Sequence, residues 1–178
     1  MKRYISMFIL IVVCFLLQTT LFQSLQIANV IPNLLLVLVA ASGFMYGRMM
    51  GMCSGILCGL LMDCLYSNVI GLGILMFVII GYINGMANKL YFKDDMSIPL
   101  SAIVISDFIY GIMYYMFNFM LRGRLDFVSY FKGVILPEAV YTVIVGVLLY
   151  KFLHWLEDKM YPPVEIPLEI TGVSTEEE

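Results

Sequence analysis

A chain of 178 residues with 62% hydrophobic and only 13% charged residues is excluded from the ordinary soluble class, where about a quarter of residues are charged. The net charge of −3 says little about the body of the chain, because residues 162–178 hold five Glu and no Lys or Arg. No basic stripe supports a nucleic-acid partner, and the mean hydropathy of +0.95, carried in long apolar runs, predicts an all-α polytopic membrane protein.

The first element follows Lys2-Arg3 and reads as a retained membrane helix over residues 4–22. It resembles a signal peptide, but the apolar run is too long and no small-residue cleavage site follows. Residues 23–29 form an uncharged connection. Pro32 suits the first turn of a helix, where its missing N–H has no consequence, and opens a second span over 32–46. Gly47-Arg48 turns the chain into a third span, 49–65, and a turn at Ser67-Asn68 precedes a fourth, 70–90. A charged stretch, Lys89 to Asp95, separates this from a fifth span at 98–121. The segment Arg122 to Gly133 reads as an interruption that lies at the outer interface or docks on a partner's extracellular part. Pro137-Glu138 then opens a sixth span, 136–155. Residues 1–161 thus form one six-span domain, and 162–178 an acidic cytoplasmic tail without a packed core.

With the N-terminus inside, Lys2, Arg3, Arg48, Lys89, Lys93, Lys151 and Lys159 fall on the inner side. Only Arg122, Arg124 and Lys132 fall outside, an asymmetry that predicts both termini in the cytoplasm of the cell membrane.

From the Gly47-Arg48 turn through the third span, Gly47, Gly51, Gly55, Gly59 and then Asp63 fall at every fourth position. In water each such Gly weakens a helix by about 1 kcal/mol relative to Ala. In a bilayer the spacing forms a ridge on which another helix packs closely. Positions four apart drift by about 40° on a 3.6-residue helix, so the ridge from Gly51 to Asp63 is a spiral turning through about 120°. It can serve the chain's own bundle, a homodimer, or a partner's helix. Gly81 and Gly85 repeat the spacing in the fourth span.

Asp63 is expected near the outer end of its helix, holding a turn or meeting an extracytoplasmic partner. Asp107 falls near mid-membrane, where an ionisable group faces the bundle interior or a cavity. Ser106, Asn84 and Tyr82 are its candidate hydrogen-bond partners, and a pocket or coupling role is the alternative. Glu138 after Pro137 reads as a helix cap. Trp155 reads as an interfacial anchor, and Tyr110, Tyr114 and Tyr115 as an embedded aromatic patch. Cys14, Cys53, Cys58 and Cys64 form no CxxC pair and read as small packing residues. No metal site or cofactor is expected, and no nucleophile–base arrangement suggests an enzyme.

The run Pro32-Asn33-Leu34-Leu35-Leu36, the turn Gly47-Arg48, the block Gly51 to Leu75 and the Gly81-Tyr82…Gly85 segment together resemble the MreD family of bacterial rod shape-determining membrane proteins. Pro32, Gly51, Gly55, Gly59, Asp63, Gly71, Gly81, Tyr82 and Gly85 match its pattern, while Asn33 stands where the family usually has an acid. The resemblance is specific over about residues 30–90. It implies a non-enzymatic scaffold that binds an MreC-like protein within the peptidoglycan elongation machinery, alongside MreB, a RodA-like glycosyltransferase and a class B penicillin-binding protein. Membrane lipid surrounds such a protein. The family's bundle is similar to the substrate-capture subunits of energy-coupling-factor transporters, which makes vitamin capture the competing function. The absence of Ala before Ala28 and of Trp before Trp155 argues against that competitor.

Overall fold

The centre of the structure is a helix with no polar face. A computed structural model describes residues 2–24, 30–67, 70–90, 97–118 and 127–160. In chain order its helices are α1 (Lys2–Ser24), α2 (Leu34–Tyr46), α3 (Arg48–Tyr66), α4 (Leu72–Met86, continued by a 3-10 turn Ala87–Leu90), α5 (Ser97–Asn118), α6 (Phe127–Tyr130) and α7 (Leu136–Met160). The π-helical turn Phe131–Ile135 joins α6 to α7 without a break. Among the described residues these make six rods, of which five are long and apolar enough to cross a membrane.

The sixth rod is α2, and its length explains the exception. Its 13 residues extend about 20 Å at 1.5 Å per residue, short of a hydrocarbon core of about 30 Å. Leu34 through Met45 are buried without interruption, because α1, α3, α4, α5 and α7 all pack around them. A helix that is hydrophobic on every side has to be enclosed on every side.

Enclosure leaves its terminal backbone groups without water, so side chains from elsewhere satisfy them. At the N-terminus the Asn33 side chain accepts from the Leu36 N–H at 3.1 Å, and Gln18 of α1 accepts from the Leu35 N–H at 3.1 Å. The Asn33 N–H itself donates to the Thr142 hydroxyl of α7 at 3.1 Å. At the other end the Asn88 amide donates to the carbonyls of Phe44 and Met45 at 2.6 and 3.1 Å. Asn33, expected as an altered charge position, is the N-cap of the central helix.

The last rod differs from the sequence expectation. A helix is expected from residue 136, yet it begins at Phe127 and runs to Met160. Pro137 has no N–H and its ring crowds the carbonyl four residues back. The widened turn just before it, in which the Leu136 N–H reaches the Phe131 carbonyl, absorbs that conflict so that the helix continues. Phe127 to Gly133, expected as part of an interfacial interruption, are therefore helical. Arg122, Arg124, residues 91–96 and the acidic tail lie outside the described residues.

Consecutive rods alternate in direction, which gathers the ends of α1, α3 and α5 and the starts of α2, α4 and α6 at one end of the bundle. This is the Asp63 end. Arg48, Lys89, His154 and Trp155 mark the opposite end.

Candidate functional site

The glycine ridge of α3 lies directly against α4, and these two helices share the most extensive contact in the fold. A Cβ added at Gly55 would sit 2.7 Å from the Phe77 carbonyl oxygen and 2.9 Å from its carbon. A Cβ at Gly51 would run into the backbone of Gly81, and one at Gly81 into the backbone of Gly51. Gly59 meets the backbone of Ile74, and Gly85 meets that of Arg48. From α2, Gly43 joins the contact, with a Cβ there only 2.7 Å from the Gly81 oxygen. Three helix backbones thus converge where no side chain fits. The Ser42 and Ser54 hydroxyls, 2.6 Å apart and both buried, tie α2 to α3 beside this contact.

Asp63 ends the ridge and is 1% exposed. Its Oδ1 accepts from the Ser67 hydroxyl at 2.7 Å and the Gly73 N–H at 3.0 Å. Its Oδ2 accepts from the N–H groups of Gly71 at 2.7 Å and Ile74 at 3.2 Å. A carboxylate on α3 therefore caps the start of α4, where unpaired N–H groups and the helix dipole favour negative charge. The chain reaches that geometry through Gly71, whose φ of 113° is a conformation that side chains disfavour. Capping from the preceding helix locks the α3–α4 hairpin at the end where its glycines stop.

Asp107 sits in a different environment. It is 3% exposed, and its Oδ1 has no hydrogen-bond partner among the described residues. Of the three partners expected from the sequence, Asn84 donates to Ser106 at 2.7 Å instead. The Ser106 hydroxyl in turn donates to the Ala102 carbonyl at 2.7 Å. Tyr82 is exposed on the outer side of α4, with the Arg48 guanidinium 5.7 Å from its ring centre. Asp107 is neither among the partners of Asp63 nor among the residues lining the cavity at the Asp63 end.

At the Asp63 end a cavity of about 430 Å³ opens among α1, α3, α4, α5 and α7 and the Val30–Asn33 segment. Asp63, Tyr110, Tyr114, Tyr130 and Glu138 line it together with Gln18, Asn33, Met76, Phe117 and Val134. Glu138, expected to cap a helix start, instead lies inside a continuous helix and is one of the residues lining this cavity. Tyr110 and Tyr114 stand on one wall with ring centres 6.1 Å apart. Tyr115, the third member of the expected patch, turns away to Phe127 and Tyr130 at 5.1 and 5.2 Å.

Gln18, Thr142 and Asn88 position the core and were not singled out in the sequence. The one signal available was a lone polar residue within an apolar run. The cysteines divide, with Cys14 and Cys58 buried and Cys53 and Cys64 exposed on the outer surface. Among the described residues no three His, Cys, Asp or Glu side chains are grouped to hold a metal ion.

Comparison with curated proteins and with solved structures gives no match. A family model described as rod shape-determining protein MreD matches residues 1–160, which include all six rods, the glycine hairpin and its Asp63 lock. The chain therefore belongs to the MreD family, a family of cell-shape membrane proteins rather than of enzymes.

Proposed function

We propose that this protein is an integral membrane scaffold of cell-shape control that binds an MreC-like partner within the peptidoglycan elongation machinery. The observation that carries the proposal is the family match across residues 1–160. A bundle whose central helix is capped by four other residues and whose α3–α4 backbones touch has the rigidity a scaffold needs. Its outer surface bears apolar residues such as Ile56 and Leu60 of α3 and Val140, Ile144 and Leu148 of α7, suited to lipid or to a partner's spanning helix.

The proposed location is the bacterial cell membrane with both termini in the cytoplasm. What supports it is the excess of Lys and Arg on one side. On this reading the Asp63 end faces outward, toward the extracytoplasmic part of an MreC-like protein. RodA-like glycosyltransferase, class B penicillin-binding protein and MreB are the other proposed members of the assembly. Kinship of the bundle with the substrate-capture subunits of energy-coupling-factor transporters is a proposal about fold that rests on the rod number and the end-opening cavity. The family match lends no support to vitamin capture as the function.

Affinity capture of the full-length chain from membranes that also contain the MreC-like protein tests the reading. Co-purification in fixed proportion, and rounded cells on depletion, are the expected results. Failure of both would remove the proposal.

A further inference from the structure

We propose that the cavity at the Asp63 end is a binding site for an organic ammonium group carried on an apolar body. The proposal is independent of the partner assignment. A volume of about 430 Å³ lies within the usual range for small-ligand sites, about 300–1,000 Å³. What distinguishes this cavity is its charge. Among the described residues two acids line it, and no Lys or Arg does.

The two acids are not equivalent. Asp63 already has both oxygens engaged by four donors, and the α4 N-terminus balances its charge. Glu138 lines the same wall and makes no hydrogen bond among the described residues. An ionised acid facing a membrane-embedded cavity is unfavourable unless a cation or donor pairs with it, and a ligand ammonium supplies both. Around it stand Tyr110, Tyr114 and Tyr130, whose ring faces attract cations. Met76 and Phe117 complete an apolar wall. Among the described residues an anion would find no cation in the lining, and a neutral ligand would forgo both the ion pair with Glu138 and the attraction of the ring faces.

An ammonium on an apolar body has two sources at a membrane surface, an aminophospholipid headgroup or a soluble organic amine. The full-length chain, purified in detergent, distinguishes them. Phosphatidylethanolamine is compared with phosphatidylglycerol by native mass spectrometry, and phenethylamine with 2-phenylethanol by titration calorimetry. An amine preference of about tenfold is expected in one pair. It falls to about twofold or less in Glu138→Gln, and Tyr114→Leu weakens amine binding about fivefold through loss of the ring face.

A preference in the lipid pair alone assigns the headgroup; one in the soluble pair alone assigns a free amine. Equal binding of amine and amine-free probes in both pairs overturns the proposal. So does a preference that Glu138→Gln leaves intact. Should Glu138→Gln fail to fold, the same decision falls to Tyr114→Leu, where an undiminished amine preference overturns it.

Discussion

Gly55→Ala adds one methyl group where the α3 and α4 backbones touch. The new Cβ would lie 2.7 Å from the Phe77 oxygen, 2.9 Å from its carbon and 3.0 Å from the Val78 Cα, all backbone atoms. Ordinary contact begins at 3.4 Å, so α4 has to retreat by about 0.7 Å. No side-chain rotation can relieve the clash, which puts the penalty at the upper end of the overpacking range, about 3 kcal/mol. Ala improves helix propensity over Gly by about 1 kcal/mol, leaving a net loss of about 2 kcal/mol, or about thirtyfold in the folding equilibrium. Gly146→Ala is the control on a different face. There the nearest atom is a Val37 methyl at 3.4 Å, and the propensity gain should leave stability unchanged or raised. Thermal midpoints of both variants in the same detergent decide the matter. A Gly55→Ala midpoint equal to that of Gly146→Ala would refute the backbone-contact reasoning.

Three other substitutions probe the polar framework. Asp63→Ala removes the acceptor for three backbone N–H groups and the Ser67 hydroxyl and should cost about 3 kcal/mol; limited proteolysis at the α3–α4 turn should rise with it, and an unchanged thermal midpoint would show that water replaces the carboxylate. Gln18→Met keeps the length of the side chain but leaves the buried Leu35 N–H unpaired, for an expected loss of about 1–3 kcal/mol; Gln18→Glu, which keeps an acceptor, should lie nearer the parent by the same measurement. Asp107→Asn should leave stability unchanged or raise it by about 1 kcal/mol, because the Asp107 Oδ1 has no partner among the described residues and a buried unpaired carboxyl is unfavourable; a clear fall in the thermal midpoint would mean that Asp107 is held by a bond.

Periodicity and turn residues made much of the bundle legible. Apolar runs marked the rods, Pro32 lay just before the central helix, and the glycine spacing in α3 and α4 identified surfaces of close approach. Which surface met which was not legible, because a ridge at four-residue spacing looks alike whether its neighbour belongs to the same chain or another. The caps of α2 were hidden for a related reason. Thr142 is 109 residues from Asn33, and nothing local to either residue records the pairing. Glu138 misled through a sound local rule: Pro followed by an acid does mark helix starts, but a π-helical turn let the helix pass through Pro137. The cavity depends on five helices at once, so no stretch of sequence announces it.

The position of the ridge changes what a partner-binding experiment on it can mean. Since α4 already covers Gly51, Gly55 and Gly59, Gly55→Leu should act on the fold first. Its larger side chain meets the same backbone atoms, so the destabilisation should exceed the roughly 2 kcal/mol expected for Ala. Capture of an MreC-like protein should then decline in step with the thermal midpoint. A partner contact on the outward face of α3 would behave differently. Ile56 and Leu60 are 47% and 44% exposed, and truncating both to Ala should leave the midpoint near the parent whatever happens to capture. Measuring midpoint and capture for both variants separates the cases. If Gly55→Leu lost the partner while keeping the parent's midpoint, the ridge would be open to a second chain and the hairpin packing would be wrong. If capture and midpoint fall together, a shape defect caused by a ridge glycine reports a broken hairpin, and the partner's footprint has to be sought on the outer faces of the rods.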